Sequence, residues 1–269
     1  MIRFICMASG SSGNCYYLGS DEGGLLIDAG IGLRTITKTL SAEGITLTGH
    51  IKGVLVTHEH ADHIKGLGKL VKAHHLSVWG SAPTLEAIKH SRTYGYTLEG
   101  TKHIALEQFV PFTLAGFTIE AFCIPHDSAC NMGYHICRGD FSFTLITDAG
   151  HITDAMYHYA HKAKYLVLEA NYDPTMLRLG PYSPMLKDRV AGPRGHLSNI
   201  ESAQMLQAVY HADMQHVWLC HLSHENNHPE LCYKTFEQEL LAHGISLEQD
   251  LNLETLRRTT PSRLYLLPE

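Results

Sequence analysis

The sequence predicts an α/β fold in which β-sheets pack between outer helices. Short apolar strands and amphipathic helices succeed one another along the chain, a pattern typical of layered α/β domains. The 269 residues lie near the upper end of what one such domain contains, and 44% hydrophobic with 18% charged residues excludes a disordered or collagen-like chain. We find no linker rich in Pro, Gly or Ser and no internal repeat, and therefore expect one domain over residues 1–269.

The first third of the chain begins with strands and then alternates helix and strand. Apolar runs at residues 2–7, 16–19 and 24–28 are separated by Gly, Ser and Asp turns, which indicates three successive strands. A helix is predicted at residues 33–43 and closed by Gly44, and an apolar strand follows at 53–57. The next elements are a helix at 65–75, a strand at 76–79 and a helix at 82–90 that has Pro83 in its first turn.

The remaining two thirds continue the mixed pattern. The apolar runs predict strands at residues 117–124, 141–147, 165–169 and 217–220, and helical spacing predicts helices at 200–210 and 230–243. Residues 192–195 interrupt regular structure because they contain two glycines and a proline.

Composition limits the location and the partners. The start of the chain resembles no signal peptide and no window approaches 18 uninterrupted apolar residues, so we expect a cytoplasmic protein without a membrane partner. Seven cysteines without a CxxC pair indicate reduced thiols. The formal charge of −6 gives no general basic field, so any polyanion has to be bound locally.

Four of the predicted strands each lead directly into a potential metal ligand. These ligands are His58, His126, Asp148 and His221. A strand fixes the backbone, while the residue just past its end can turn its side chain into a cleft. The ends of these strands therefore predict a common site.

The densest group of ligands is Thr57-His58-Glu59-His60-Ala61-Asp62-His63. His58 and His60 can point together, while Asp62 and His63 can face a second position beside them, so two metals fit better than one. Histidine and carboxylate ligands suit zinc, manganese or iron. A solvated loop with idle histidines is the competing interpretation, which the spacing and the three later ligands disfavour.

The segment HEHADH resembles the HxHxDH signature of the metallo-β-lactamase superfamily, and His126, Asp148 and His221 follow in that family's ligand order. The resemblance implies a four-layer αββα fold with two mixed sheets between helices. It also implies that His58, His60 and His126 hold one ion, that Asp62, His63 and His221 hold the other, and that Asp148 bridges them. Asp28 matches the family's first acidic motif, which usually orients ligands.

Two cations separated by on the order of 3.5–4 Å can share a hydroxide and stabilise attacking and leaving oxygens, which is hydrolytic chemistry. Asp62 is our candidate for orienting or deprotonating the nucleophile, because a carboxylate beside such a water stays ionised and can accept a proton. A role as ligand alone stays open for Asp62.

The sequence is also similar to a narrower branch, the YycJ/WalJ-like proteins related to nucleases, through residues 8–14, 168–173, 195–199 and 221–227. This resemblance implies a 5′-to-3′ exonuclease that hydrolyses DNA. It assigns His196 to protonation of the leaving oxygen or to a phosphate contact. The remaining substrate contacts that we expect are Ser11, Ser12, Asn14, Asn171, Ser198 and Asn199. An ordinary turn at residues 9–14 and a helix N-cap at Ser198 are competing interpretations.

The region before residue 196 is the expected substrate channel. Lys187, Arg189 and Arg194 could bind a polyanion or form a solvated loop, and Tyr172 and Tyr182 could stack on bases or pack in the core. Only about 70 residues separate Asp148 from His221, which leaves no room for the inserted domain of larger nucleases. An open edge, a lid at residues 171–196 or a homodimer would then define the channel.

Two other functions remain open at this stage. One is a two-metal hydrolase of a small substrate such as a thioester or a cyclic phosphodiester, which the acidic charge and the missing domain favour. The other is a metal-binding protein without hydrolytic turnover. Cleavage of bis-p-nitrophenyl phosphate and dependence on strand end and salt would separate a nuclease from a thioesterase.

Overall fold

The computed structural model describes residues 1–247 and 249–269, which form two seven-stranded sheets. Strands of the first sheet, in spatial order, are β14 (Tyr265–Leu267), β1 (Ile2–Ala8), β2 (Cys15–Gly19), β3 (Gly24–Ile27), β4 (Ile51–Leu55), β5 (Ser77–Ser81) and β6 (His103–Leu106). Strands of the second sheet are β13 (Asn252–Thr255), β12 (His216–Cys220), β11 (Tyr165–Glu169), β10 (Phe141–Ile146), β9 (Asn131–Arg138), β8 (Phe117–Ile124) and β7 (Phe112–Leu114).

The helices lie outside the sheets or around the site. They are α1 (Leu33–Ala42), α2 (Ala61–Ile64), α3 (Leu67–His74), α4 (Ala82–His90), α5 (Asp154–His161), α6 (Pro174–Leu179), α7 (Pro184–Val190), α8 (Asn199–Val209) and α9 (Pro229–Ala242), with a 3₁₀ turn at Gly95–Leu98. Among the described residues, no helix is both long and apolar enough to cross a membrane.

Three apolar layers hold the sheets and helices together. Between the sheets, aromatic side chains pack closely, as where the ring of Phe4 lies 4.6 Å from that of Trp218. A second cluster joins the first sheet to α1, α3 and α4, and a third joins the second sheet to α5, α8 and α9. Each sheet is thus covered on both faces, and the αββα architecture implied by the resemblance is confirmed.

The sequence predicted the positions of most central strands to within a few residues, but it missed shorter or fully buried elements. The predicted helix at 65–75 corresponds to α3, and the short helix α2 before it was not predicted. The chain bends between the two around Gly66, where any side chain would collide with the carbonyl oxygen of Ile31. Strand β9 escaped prediction because its first six residues are all buried, which removes the two-residue alternation of a half-exposed strand. The seven cysteines are free, as expected.

The two sheets share one strand pattern, although the sequence showed no long internal repeat. Counted from β14 in the first sheet and from β7 in the second, each sheet has three antiparallel strand pairs followed by three parallel pairs. The fourth strand of each sheet carries related residues, Leu-Leu-Ile-Asp-Ala-Gly at 25–30 and Leu-Ile-Thr-Asp-Ala-Gly at 145–150. The amides of Gly30 and Gly150 both donate to the loop between the second and third strands of their own sheet. Six residues were too short a repeat to recognise without the topology.

Candidate metal centre

The side chains of the centre project from strand ends that meet at one edge of the two sheets. Asp28 follows β3, Asp148 follows β10 and His221 follows β12, and all three have left-handed backbone conformations, with φ of 59°, 56° and 55°. Non-glycine residues adopt this conformation rarely, with aspartate and histidine among the more tolerant. The sharp turn after each strand directs the side chain toward the space between the sheets.

The first group of ligands consists of His58, His60 and His126, whose ligating atoms all lie within 4.8 Å of one another. Nδ1 of His126 lies 3.0 Å from the carbonyl oxygen of Gly195, a hydrogen bond that needs the proton on Nδ1 and leaves Nε2 as an acceptor. Nε2 of His58 is buried and has no hydrogen-bond partner among the described residues. A buried ring nitrogen without a partner is costly, so these atoms fit a cation.

A second group, Asp62, His63 and His221, lies beside the first. Oδ2 of Asp62 lies 3.4 Å from Nε2 of both histidines. Asp148 stands between the two groups, with Oδ2 at 3.3 Å from Nε2 of His63 and Oδ1 at 3.8 Å from Nε2 of His126. One carboxylate oxygen therefore faces each group, which is the arrangement that a bridging ligand requires.

The spacing of these atoms matches a shell of metal ligands. Zinc binds histidine nitrogen and carboxylate oxygen at about 2.0–2.2 Å, so neighbouring tetrahedral ligands stand roughly 3.3–3.5 Å apart. The separations of 3.3–3.4 Å in the second group have this value. The donor set also excludes a thiolate site, since the described cysteines contribute to none of the candidate clusters. The residues present fit divalent cations.

Charge in the centre is concentrated in buried groups. Burial lowers the pKa of His63, but the carboxylates of Asp28 and Asp148 outweigh burial and raise that pKa well above its ordinary value. The pKa of His221 is likewise raised to about 10, because Asp148 and neighbouring carboxylates overcome the effect of burial. Burial would raise the pKa of Asp148, yet His221 and His63 hold it well below the usual range. These histidines therefore have strong affinity for positive charge at Nε2.

Asp28 hydrogen-bonds to His63 on the side of the ring opposite Nε2 and orients this ligand of the second group. The family resemblance implied such a role. Its Oδ2 accepts a hydrogen bond from Nδ1 of His63 at 2.6 Å, and Thr57 donates both its amide and its hydroxyl to the same carboxylate. This bond fixes the ring so that Nε2 of His63 faces Asp62 and Asp148.

Sequence reasoning missed Glu169, the last residue of β11, which is fully buried at the centre. Its Oε1 lies 2.8 Å from Nδ1 of His196 and 3.2 Å from Nδ1 of His221, and its Oε2 accepts the amides of Ala149 and Leu197. The other ligands were identified because they lie at the ends of predicted strands. The same reasoning applies to Glu169, which ends a predicted strand with a carboxylate.

The expected substrate contacts divide into two sets. Ser11, Asn171 and His196 line the cavity in front of the centre, and Ser12 is exposed at the tip of its turn without lining the cavity. Asn14, Ser198 and Asn199 are buried and face protein groups instead.

Each buried member of that set has a structural partner. Nδ2 of Asn14 lies 3.2 Å from Oδ2 of Asp62 and 3.0 Å from Nε2 of His63. Ser198 is the N-cap of α8 and forms a capping box with Glu201. Asn199 exchanges two side-chain hydrogen bonds with Asn227. None of these three residues lines the cavity and their polar atoms are engaged by protein groups, so their role as substrate contacts stays a prediction.

Helix α7 and the turn before it cover one side of the cavity, which has a volume of about 260 Å³. Tyr182, Leu186 and Arg189 line it from this lid, which we define as residues 174–196. Tyr172 is buried in a small cluster with Leu177 and is therefore unavailable for stacking on a base. Arg194 donates to the carbonyl oxygens of His126 and Ser128, so the end of the lid is hydrogen-bonded to the loop that carries the ligand His126.

Comparisons with known proteins agree with this geometry. Residues 24–222 match the sequence profile of the Beta-lactamase superfamily domain. The chain is 34% identical over 251 residues to exodeoxyribonuclease WalJ of Streptococcus pneumoniae, with 93% of each chain covered. It is 33% identical over 263 residues to exodeoxyribonuclease YycJ of Bacillus anthracis, with 98% of each covered. The metallo-beta-lactamase fold protein YhfI from Bacillus subtilis superposes with a TM-score of 0.69 at 18% identity, covering 98% of this chain and 100% of YhfI.

The fold and the site together define a metal-dependent hydrolase of the metallo-β-lactamase type. The chain belongs to that superfamily, and within it to the group that contains WalJ and YycJ.

Proposed function

We propose that the protein is a 5′-to-3′ DNA exonuclease that hydrolyses phosphodiester bonds with two divalent cations. The observation that carries this proposal is the pair of ligand groups that share Asp148 and open onto one cavity, with His196 on the cavity wall. The names of WalJ and YycJ supply the substrate class, and the cavity supplies the reactive groups.

The charge of the site explains why cations would be required. Asp62, Asp127 and Asp148 line the cavity, with Glu169 behind them, and Arg189 is the cationic side chain among the lining residues. A phosphodiester anion would be repelled by these carboxylates unless positive charge offset them. Divalent cations bound there supply that charge, act as Lewis acids and lower the pKa of water.

Asp62 and His196 have complementary acid–base roles in this proposal. The pKa of Asp62 stays well below its ordinary value because neighbouring histidines outweigh the effect of burial, so its carboxylate is ionised and can accept a proton from the nucleophile. Nδ1 of His196 lies 2.8 Å from Oε1 of Glu169, a hydrogen bond that holds the ring at the cavity wall. The other ring nitrogen can then donate a proton to the leaving oxygen.

The rest of the cavity would position the end of one strand. Its volume is near the lower limit of the about 300–1,000 Å³ typical of small-ligand sites, so only a terminal segment can enter. Ser11 and Asn171 offer polar groups on the core side, and Arg189 and Tyr182 offer a cation and an aromatic ring from the lid.

The proposal is tested with end-labelled duplex DNA, single-stranded DNA and RNA, using protein reloaded with manganese or zinc after chelation. We expect nucleotides to be released from 5′ ends of DNA and the activity to be lost in His60→Ala. Metal-loaded protein that cleaves no nucleic acid would overturn the proposal.

A second variant tests the proton donor separately. We expect His196→Asn to lower DNA cleavage about 10²- to 10⁴-fold. Cleavage of bis-p-nitrophenyl phosphate should stay near the wild-type rate, because its leaving group is stable as an anion and needs no proton. Equal losses on both substrates would contradict the assignment of His196 as the acid.

The small volume of the cavity also favours an alternative, a hydrolase of a small phosphodiester or thioester. This alternative predicts turnover of such compounds by metal-loaded protein and no dependence on strand end. Release of nucleotides only from 5′ ends would exclude it as the main activity.

A further inference from the structure

Asp127 stands outside the ligand set that the sequence motif defines, yet it faces the first group of ligands. It follows His126 directly, and its Oδ1 lies 3.3 Å from Nε2 of His126 and 3.9 Å from Nε2 of His60. This oxygen is buried and accepts no hydrogen bond from the described residues. It therefore points at the same space as the two imidazoles without bonding to either.

The other oxygen of this carboxylate holds the lid. Nε of Arg189, in α7, donates to Oδ2 of Asp127 at 2.5 Å. The surrounding loop is fixed independently, because Arg194 donates to the carbonyl oxygens of His126 and Ser128, and the amide of Ala129 donates to Glu59. Asp127 is thus held on both sides, with one oxygen directed at the lid and one at the centre.

Two physical arguments favour Oδ1 of Asp127 as a ligand of the cation in the first group. Its distance of 3.3 Å from Nε2 of His126 equals the separation of about 3.3–3.5 Å between neighbouring ligands around a tetrahedral cation. The first group otherwise contains three neutral histidines, whereas the second contains Asp62 in addition to the shared Asp148. A carboxylate in the first group would distribute negative charge evenly between the two positions.

We propose that Asp127 is a ligand of the cation held by His58, His60 and His126, and that Arg189 orients it from the lid. Ligating carboxylates are commonly fixed by an outer hydrogen bond, and loss of that bond weakens metal binding about 10- to 100-fold. Because Arg189 belongs to α7, cation affinity depends on the docking of the lid. The dependence is reciprocal, so a bound cation stabilises the docked lid. This inference rests on the proposed function of the centre as a two-cation site.

The test uses Co²⁺ alone as the probe, with four forms of the full chain: wild type, Asp127→Asn, Arg189→Gln and the control Asp188→Asn. Asp188 is an exposed carboxylate next to Arg189, so its substitution removes the same charge without touching the centre. Calorimetric titration gives the number and affinity of bound ions, and the visible absorption of bound Co²⁺ reports its coordination geometry. Hydrogen exchange with and without Co²⁺ measures protection of residues 184–190, and circular dichroism checks folding.

We expect Asp127→Asn to weaken the binding of one of two Co²⁺ ions more than the about 10- to 100-fold that follows loss of an outer hydrogen bond. The absorption spectrum should also change, while Asp188→Asn resembles wild type. Arg189→Gln should weaken the same ion to a smaller extent and abolish the Co²⁺-dependent protection of α7. Two ions bound by Asp127→Asn with unchanged affinity and spectrum would overturn the inference and leave the proposed function intact. Failure of wild type to bind Co²⁺, despite native folding, would overturn the two-cation centre itself.

Discussion

Four of the five histidines proposed as ligands have Nδ1 within hydrogen-bonding distance of a protein group that can set the tautomer. The partners are the hydroxyl of Thr57, the carboxylates of Asp28 and Glu169, and the carbonyl oxygen of Gly195. In each case Nε2 remains as the atom directed at the centre. Metal affinity should therefore depend on these partners nearly as strongly as on the ligands.

Asp28 offers the clearest test of this dependence. In Asp28→Asn, an amide group would replace the oxygen that accepts from Nδ1 of His63 and from the hydroxyl of Thr57. We expect His63 to change tautomer, and the affinity of the second cation to fall about 10- to 100-fold while the first is retained. Metal analysis of protein dialysed at a series of Zn²⁺ concentrations measures this, with the exposed Asp140→Asn as control. Two ions of unchanged affinity would show that Asp28 has no orienting role.

The positions recovered from sequence are those whose chemistry is local. The ligands of HEHADH could be identified because six consecutive residues carry the pattern, and His126, Asp148 and His221 because each follows an apolar strand. Asn14 could not be placed, since its side chain reaches Asp62 across 48 residues of sequence. Glu169 was passed over although it ends a predicted strand, and Asp127 was passed over because its position beside His60 and Arg189 appears only in three dimensions.

At the scale of elements, α6 and α7 show why the lid was recognised as a segment but not as helices. They contain six and seven residues, which is too short for a helical hydrophobic period to be read. Both nevertheless begin with a side-chain N-cap followed by proline, Asp173-Pro174 and Ser183-Pro184. Capping signals carry the information that periodicity lacks here.

The capping box of α8 allows its structural role to be separated from substrate binding. Ser198→Ala removes the acceptor for the amide of Glu201, so we expect a loss of about 1 kcal/mol in the free energy of unfolding and a fall of roughly 2–4 °C in Tm. KM for DNA should not change, because Ser198 is buried away from the cavity. Thr153→Ala, which removes the N-cap of α5, is the matched control. A rise in KM in Ser198→Ala alone would restore Ser198 as a substrate contact.

At the scale of the whole molecule, charge is distributed unevenly. The lid, residues 174–196, carries four cationic residues and one carboxylate, a formal charge of +3, and the chain as a whole carries −6. The remainder therefore carries −9. This asymmetry leaves the lid as the surface most favourable for a polyanion, and it agrees with the expectation that a nucleic acid is bound locally rather than by a general basic field.

This distribution sets an upper limit on the salt dependence of DNA binding. The four lid cations and Arg258, whose guanidinium donates to the carbonyl oxygen of Ser223 at the cavity, offer five cations to the phosphates of one DNA strand. Each contact with a single strand contributes about −0.7 to the slope of log K against log salt, so we expect a slope no steeper than about −3.5. Fluorescence anisotropy with manganese-loaded His196→Asn and a labelled single strand of DNA measures this slope, and Arg178→Gln should make it shallower by about 0.7.

A much steeper slope would require cations from a second copy of the chain, and therefore a dimeric channel. A slope near zero would contradict a nucleic-acid substrate and favour the small-substrate alternative, because a small ester needs no extended contact with the lid.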